Sequence, residues 1–428
     1  MYPKLALLGG SPVRTRKYPP HITTGEEEKR AAMSVLEKGV LSEFEGTNNE
    51  YFSGGEQVRF LEQEWAEKFS VRYAISFNSA TSALYAAVGA CEVGPGDEVV
   101  VTPFTMSATA TAILAYNAIP VFSDVELEHY NLDPSALEGK ITPMTKAVFV
   151  VHIFGHPADM DAILAIAKKH NLRVLEDAAQ SPGAMYNGKL SGTIGDIGVY
   201  SLNCNKVIQC GEGGIAVTND ADLAEKLRLI RNHAEAVIAS GRKVKGLVNM
   251  IGWNYRMTEI EAAIAREQLK KLNALNAARL ELVMYLNDKL KDVQGMSIPP
   301  VRKNSTHVYY RYALKIDPDI IPINAPIFVK ALNAEGMDFY VSYMKPLYLQ
   351  PLYQNLIGYG DKGCPFTCPY YEGRVNYSKG ICPNAEKLED VVISTEIVRP
   401  PQTRDDMDEI AEAVEKVLHN MDDLKKYS

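Results

Sequence analysis

The chain is predicted to be an α/β protein with a mainly parallel central sheet and a smaller second domain, on three observations. Six short β-branched runs follow one another: Glu98 to Thr102, Ile119 to Asp124, Lys146 to His152, Arg173 to Glu176, Gly198 to Leu202 and Gly214 to Thr218. Each is apolar on both faces, as expected of strands covered on either side by helices. Helical segments such as Ser107 to Tyr116 and Met160 to His170 lie between them, which gives the strand–helix alternation of parallel sheets. Finally, 428 residues with 46% hydrophobic content allow more than one structural layer, and two domains are the expectation for that length.

The segment Asn254 to Leu272 is rich in Ala, Glu, Leu and Arg and continues into a second charged helix, Ala274 to Leu290. This is read as the helical exit from the sheet domain. Residues 1–255, the amino-terminal segment included, are assigned to a large domain and 256–428 to a smaller α+β domain. Its first strand is expected at Val308 to Ile316. Its last helix, amphipathic with an acidic start, is expected at Asp405 to Leu424. Between them Pro346 to Pro383, dense in Pro, Tyr, Gly and Cys, is expected to form long loops packed over another part of the protein. No internal repeat or low-complexity stretch is found.

Lys and Arg total 45 against 53 Asp and Glu, and the net charge of -8 offers no general attraction to nucleic acid or an anionic membrane. An anionic ligand therefore needs a local site. Met1 to Gly10 has no long apolar core or cleavage site, and no run approaches the ~18 apolar residues of a spanning helix. A cytoplasmic protein without membrane or nucleic-acid partners is expected. The cysteines at 91, 204, 210, 364, 368 and 382 read as free thiols. Cys364, Cys368 and Cys382 lie close together, but structural zinc takes four ligands and no histidine pair is near, so no metal is expected.

Three stretches carry chemistry. Arg173-Val-Leu-Glu-Asp177-Ala-Ala-Gln180 is an apolar strand ending at an acidic pair, on the sheet edge where ligands of open α/β sheets bind. A buried Asp177 there suits a pyridine nitrogen, because a carboxylate keeps that nitrogen protonated and makes the ring an electron sink. Gln180 is placed to reach a ring hydroxyl. A strand-end Asp also commonly just caps the following helix.

In Ser201-Leu-Asn-Cys-Asn-Lys206-Val-Ile-Gln-Cys-Gly211-Glu-Gly-Gly214 a strand delivers Ser201 and Lys206 into a loop, and a Gly-rich turn returns. A lone loop lysine is usually solvated, but Val207 and Ile208 beside it are apolar, which suits a partly dehydrated amine able to condense with an aldehyde. Ser201 offers a hydroxyl to a phosphate. Asn78-Ser-Ala-Thr81-Ser-Ala-Leu84 opens a helix whose exposed N–H groups suit a phosphate, with Thr81 adding a hydroxyl; alone it is an ordinary helix cap.

Together these stretches resemble the sugar aminotransferases of the DegT/StrS family, within the fold-type I aspartate aminotransferase superfamily. The resemblance spans nearly the whole chain: Leu5 to Arg14, Gly55 to Leu61, Asn78 to Leu84, Gly94 to Glu98, His152 to Met160, Glu176 to Gln180, Ser201 to Gly214 and Gly252 to Met257. It implies pyridoxal 5'-phosphate as cofactor, with Lys206 as the Schiff-base lysine and Asp177 on the pyridine nitrogen. It further implies Gln180 near the ring hydroxyl, and Ala80, Thr81 and Ser201 on the phosphate. It implies that Asn254 reaches the phosphate of the neighbouring subunit, making the active unit a homodimer with shared sites. The family's aromatic residue over the ring aligns here with Met106, whose thioether can pack on a ring face, or with Phe104 in a shifted alignment. His156 stands where glutamine is usual, either as a partly buried loop residue or as a substrate contact.

The resemblance implies transfer of an amino group from glutamate or glutamine to a keto sugar or keto-cyclitol. Dehydratases of the family carry histidine in place of this lysine, so Lys206 favours transamination. A nucleotide-linked keto sugar ranks first as acceptor. A keto-cyclitol ranks second, because Gly-Gly-Ser-Pro-Val-Arg resembles branches that aminate cyclitols or make aminohydroxybenzoate. Arg242, Lys243 and Lys245 would neutralise a diphosphate if they enter a partner's site, or are surface charge. His307, Arg311, Tyr343 and Tyr348 are candidate substrate contacts. A non-catalytic regulator or binding module on the same fold would need a DNA-binding appendage or a lost lysine, and the sequence shows neither.

Overall fold

The computed structural model describes residues 3–427 apart from 248. The main sheet has seven strands: β1 (Tyr73–Phe77), β2 (Glu98–Val101), β3 (Ile119–Phe122), β4 (Thr145–Val151), β5 (Arg173–Asp177), β6 (Ile197–Ser201) and β7 (Gly214–Thr218), in the spatial order β1-β7-β6-β5-β4-β2-β3. β2 to β6 pair in parallel, while β7 runs antiparallel to both its neighbours, β1 and β6. All six expected strands are present, with ends shifted by at most two residues. β1 is the addition. Its Tyr-Ala-Ile-Ser-Phe carries a polar residue in mid-run, and Ser76 is buried because its N–H and hydroxyl both donate to Glu62 at 2.9 Å.

Alternate strand residues face opposite layers, as the two-residue period of a strand requires. Ile75, Val99, Val101, Phe149 and Val199 join one core with the helices Ala80–Ala90, Ser107–Leu114 and Ala221–Arg231. Val100, Val148 and Val174 pack on the helix Met160–Lys169, and Tyr200 and Val217 on Glu56–Phe69 and Glu259–Leu290.

A second sheet, β8 (Met296–Ser297), β9 (Tyr312–Ile316), β10 (Tyr340–Val341) and β11 (Val392–Thr395), is antiparallel in the order β8-β9-β11-β10. It shares a core with the helices Glu259–Leu290, Ala325–Ala334 and Arg404–His419. Where the sequence pattern gave two helices, one 32-residue helix runs from Glu259 to Leu290. It begins later than Asn254 because Thr258 and Glu261 form a reciprocal capping box.

The amino-terminal segment, expected with the first domain, packs on the second sheet instead. Leu5 lies in that core, and the buried Glu335 carboxylate accepts the N–H groups of Ala6 (2.8 Å) and Val13 (3.1 Å) and pairs with Lys416 at 2.7 Å. The loops between 346 and 383 return to the edge of the main sheet. There Phe122 on β3 meets the rings of Tyr348, Tyr353 and Tyr377 at 5.2 to 5.7 Å. Among the described residues no helix is long and apolar enough to cross a membrane.

Candidate active site

The carboxyl ends of β1, β2, β4, β5 and β6 lie at one edge of the sheet, and the turns leaving them, with residues from the second sheet, enclose a cavity of about 430 Å³. β5 ends at Asp177, whose side chain is buried in the cavity wall. The Thr109 hydroxyl donates to one carboxylate oxygen (2.8 Å) and the Ala179 N–H to the other (3.1 Å). No Lys, Arg or His nitrogen among the described residues lies within ion-pair distance of it. Burial therefore pushes the Asp177 carboxyl above the ordinary range, against the bonds from Thr109 and Ala179 and the positive fields of Lys206 and His152.

β6 ends at Ser201, and the loop that follows folds back on itself through Leu202 N–H to Gly213 O and Cys204 N–H to Gly211 O, both 2.9 Å. Val207 and Ile208 are fully buried and anchor this loop, leaving the Lys206 amine in the cavity 4.4 Å from the centroid of the Tyr310 ring. No carboxylate among the described residues pairs with it.

β1 leads into the helix Ala80–Ala90, where Ser79 caps the Ser82 N–H at 3.0 Å. The N–H groups of Ala80 and Thr81 find no protein acceptor among the described residues, so this helix end presents two free donors to the cavity. Gly214 lets β7 pass directly beneath. A Cβ there would sit 2.5 Å from Ala80 N and Ser79 O.

Gln180 accepts the Phe154 N–H on its carbonyl oxygen (2.7 Å), which fixes its amide group toward Tyr343, whose hydroxyl accepts at 3.1 Å. Phe154 holds this place at φ 58°, an unusual conformation for a bulky residue.

The cavity thus gathers Ala80, Thr81, Met106, Asp177, Gln180, Ser201, Lys206, Arg311 and Tyr343 from the residues singled out in the sequence. Met106 is half exposed and its sulfur accepts the Ala108 N–H at 3.0 Å. Phe104 is fully buried edge-to-face against Phe154, away from the cavity. The structure does not bring five others to the cavity. His307 lies in a separate small pocket, accepting the Tyr309 N–H at 2.8 Å, and burial lowers its pKa to about 3. Tyr348 is buried against Phe122, with its hydroxyl bonded to Glu386. Lys243 and Asn254 are exposed on their own chain. His156 is buried, stacked on His129 at 5.2 Å, and accepts the Arg302 N–H at 2.9 Å.

Sequence reasoning missed Thr109, Tyr310 and Glu396. Thr109 follows Thr105 by one helical turn, and their hydroxyls lie 3.1 Å apart, but nothing local ties that pair to Asp177. Tyr310 stands beside Arg311 in a Tyr-rich run that reads as packing. Glu396 has no local signal: it enters the cavity only because β11 pairs with β9.

These groups match pyridoxal 5'-phosphate in chemistry. A buried carboxylate lacking a cation suits its ring nitrogen, free N–H donors at a helix end suit its phosphate, and an amine without a carboxylate partner suits its aldehyde.

The chain is 32% identical over 434 residues to the L-glutamine:2-deoxy-scyllo-inosose aminotransferase of Streptoalloteichus tenebrarius, covering 98% of this chain and 99% of that one. It is 37% identical to the GDP-perosamine synthase of Caulobacter vibrioides over 71% of this chain and 80% of that one. The crystal structure of DesV from S. venezuelae superposes with a TM-score of 0.77 at 30% identity, covering 92% and 94% of the two chains. The model of the DegT/DnrJ/EryC1/StrS aminotransferase family matches residues 41–368, and with relatives this similar along their whole length the chain belongs to that family.

Proposed function

We propose that the protein transfers an amino group from glutamine or glutamate to the ketone of a sugar or cyclitol, using pyridoxal 5'-phosphate held in the cavity described above. The observation that carries this reading is the pairing, in one cavity, of an amine without a carboxylate partner, Lys206, with a buried carboxylate without a cation, Asp177. When bound, the cofactor supplies an aldehyde that captures amines and a ring that accepts electrons from the neighbouring carbon. Asp177 holds positive charge on the ring nitrogen, and Thr109 and the Ala179 N–H orient its carboxylate. Ala80, Thr81 and Ser201 bind the phosphate, and Gln180 directs its remaining amide hydrogen to the ring hydroxyl. Lys206 Nζ takes the proton from the α-carbon of the donor, a role worth roughly 10²–10⁴ in rate. Tyr310 holds that amine over its ring face between steps.

A keto-cyclitol acceptor is supported by the end-to-end similarity to the scyllo-inosose enzyme. A nucleotide-linked keto sugar is supported by the similarity to GDP-perosamine synthase. The reading includes a cytoplasmic homodimer in which Asn254 serves the partner's phosphate site. Its support is that Asn254 is exposed beside Ile251 and Trp253, which are 71% and 45% exposed.

The test is the absorbance spectrum of the protein reconstituted with pyridoxal phosphate, compared with Lys206→Ala. The wild type is expected to show a visible band that bleaches with glutamine or glutamate alone, and Lys206→Ala to lack that response. A wild-type protein that stays colourless with pyridoxal phosphate would refute the reading.

A further inference from the structure

The turn that follows β4 is strained and held from outside. Phe154 sits at φ 58° and Gly155 at φ 94°, and a bulky residue in that region persists only where its neighbours impose it. A Cβ on Gly155 would lie 2.8 Å from Val308 Cγ2 and 3.0 Å from Gln180 O, so the segment leading into β9 closes tightly on this turn. The strained conformation has a use. It points the Phe154 N–H at the side-chain oxygen of Gln180 (2.7 Å), and Gln180 lines the cavity.

His156 closes the turn. Its N–H donates to Ile153 O at 3.0 Å, and its ring lies between those of His129 and His307, 5.2 Å from each. Nε2 accepts the Arg302 N–H, from the segment between β8 and β9, at 2.9 Å. Nδ1 faces Asn131 Nδ2 at 3.4 Å, and that amide is oriented by the Ile153 N–H on its oxygen (3.1 Å) and by His129 O on its nitrogen (3.2 Å). The single proton of the neutral ring therefore belongs on Nδ1. A second, on Nε2, would meet the Arg302 N–H head-on and expel it. Burial, and then the fields of His307, His129, Arg302 and His152, hold the His156 pKa far below the ordinary 6.5. Glu126 and Asp159 bring no relief, because both pair with Arg302, Asp159 at 3.6 Å. Glu128 and Lys315 act on His129, and Arg279 acts on His307.

We infer that His156 is a positioning residue, whose uncharged ring locks the turn from Ile153 to Gly155 and thereby sets Gln180 for the cofactor. The lock joins the main sheet to the segment before β9 and is sensitive to acid. The closed turn keeps His156 neutral and the opened turn lets it titrate at 6.5, so the lock is complete above 6.5 and weakens as pH falls below it. The link from Gln180 to the cofactor rests on the function proposed above; the lock on the turn does not.

Hydrogen exchange in the peptide 150–158 of the full-length protein without cofactor, corrected for the intrinsic pH dependence of exchange, reports opening of the turn. One imidazole that regains 6.5 on opening multiplies the opened fraction about 25-fold between about pH 7 and about pH 5. His156→Gln keeps an acceptor for the Arg302 N–H and cannot titrate. It is expected to lower the wild-type rise by about that factor while exchanging like wild type at neutral pH. His156→Ala leaves the Arg302 N–H without an acceptor. It is expected to exchange about 10-fold faster at neutral pH and to bind pyridoxal phosphate about 10-fold more weakly, with His156→Gln restoring both to within about 3-fold.

An acid-dependent rise that is the same in His156→Gln as in wild type would overturn the inference, and so would wild-type exchange in His156→Ala. If His156→Ala does not fold, the pH profile of His156→Gln decides alone. A variant His156→Ala that opens the turn yet binds pyridoxal phosphate like wild type would overturn the link to Gln180. A wild-type protein that shows the expected exchange profile and binds no pyridoxal phosphate would sink the proposed function and leave the lock standing.

Discussion

Replacing Asp177 by Asn should make the cofactor-free protein more stable while removing its catalytic electrostatics. Asp177 is buried, its carboxylate has two hydrogen bonds and no ion-pair partner, and burial raises its pKa. Asn keeps the shape: its oxygen can accept the Ala179 N–H and its amide can donate to the Thr109 hydroxyl. Removing an unpaired buried charge while keeping its bonds is worth about 1–2 kcal/mol, or about 1–2 °C in Tm for a chain of this length.

The pH dependence has a definite sign. The folded chain holds the Asp177 proton more tightly than the unfolded chain, whose value is the ordinary 3.8. The wild-type apoprotein therefore has the full contribution of this group below 3.8 and loses it as pH rises through the raised folded value. The advantage of Asp177→Asn grows over that same interval and is complete above it. Thermal melts of both apoproteins across pH 4 to about 8 measure this. Adding pyridoxal phosphate should then raise the wild type more than the variant, because in the proposed site the ring nitrogen would bring a cation to Asp177. A variant no more stable than wild type at neutral pH, or a difference that does not change with pH, would show that Asp177 carries no uncompensated charge.

Gly214→Ala should destabilise by about 1–3 kcal/mol and weaken cofactor binding, since its Cβ would press on Ala80 N and Ser79 O at 2.5 Å; denaturant titration and cofactor titration check the two effects. Glu176→Gln should cost about 3–5 kcal/mol, because this buried carboxylate accepts the His152 Nε2–H and the N–H groups of Gly192, Ile194 and Gly195. Phe122→Ala should cost about 3–5 kcal/mol by hollowing the ring cluster under the 346–383 loops, with proteolysis in those loops as a second readout. His307 titrates near pH 3 when folded and 6.5 when unfolded, so its contribution is full above 6.5 and is lost as pH falls toward 3. His307→Gln should flatten the denaturation midpoint over that interval.

What the amino-acid order determined by itself is local. The six runs from Glu98 to Thr218 announce covered strands because a strand's two faces are written in adjacent residues. The chemistry at their ends was legible for the same reason. Asp177 and Ser201 end their strands, Lys206 lies in the loop that follows Ser201, and Ala80 and Thr81 open a helix whose free N–H groups need no distant partner to exist.

Only the tertiary structure decided which far-apart groups meet. Thr109 orients Asp177 across 68 positions, Tyr343 meets Gln180 across 163, and Glu396 meets Arg311 across 85. The same packing turned Tyr348 and His307 inward and drew the amino-terminal segment to the second sheet through Glu335. A hydrogen bond or ion pair depends on the approach of two surfaces, and the residues on each surface carry no mark of the other until the sheets and helices between them have packed.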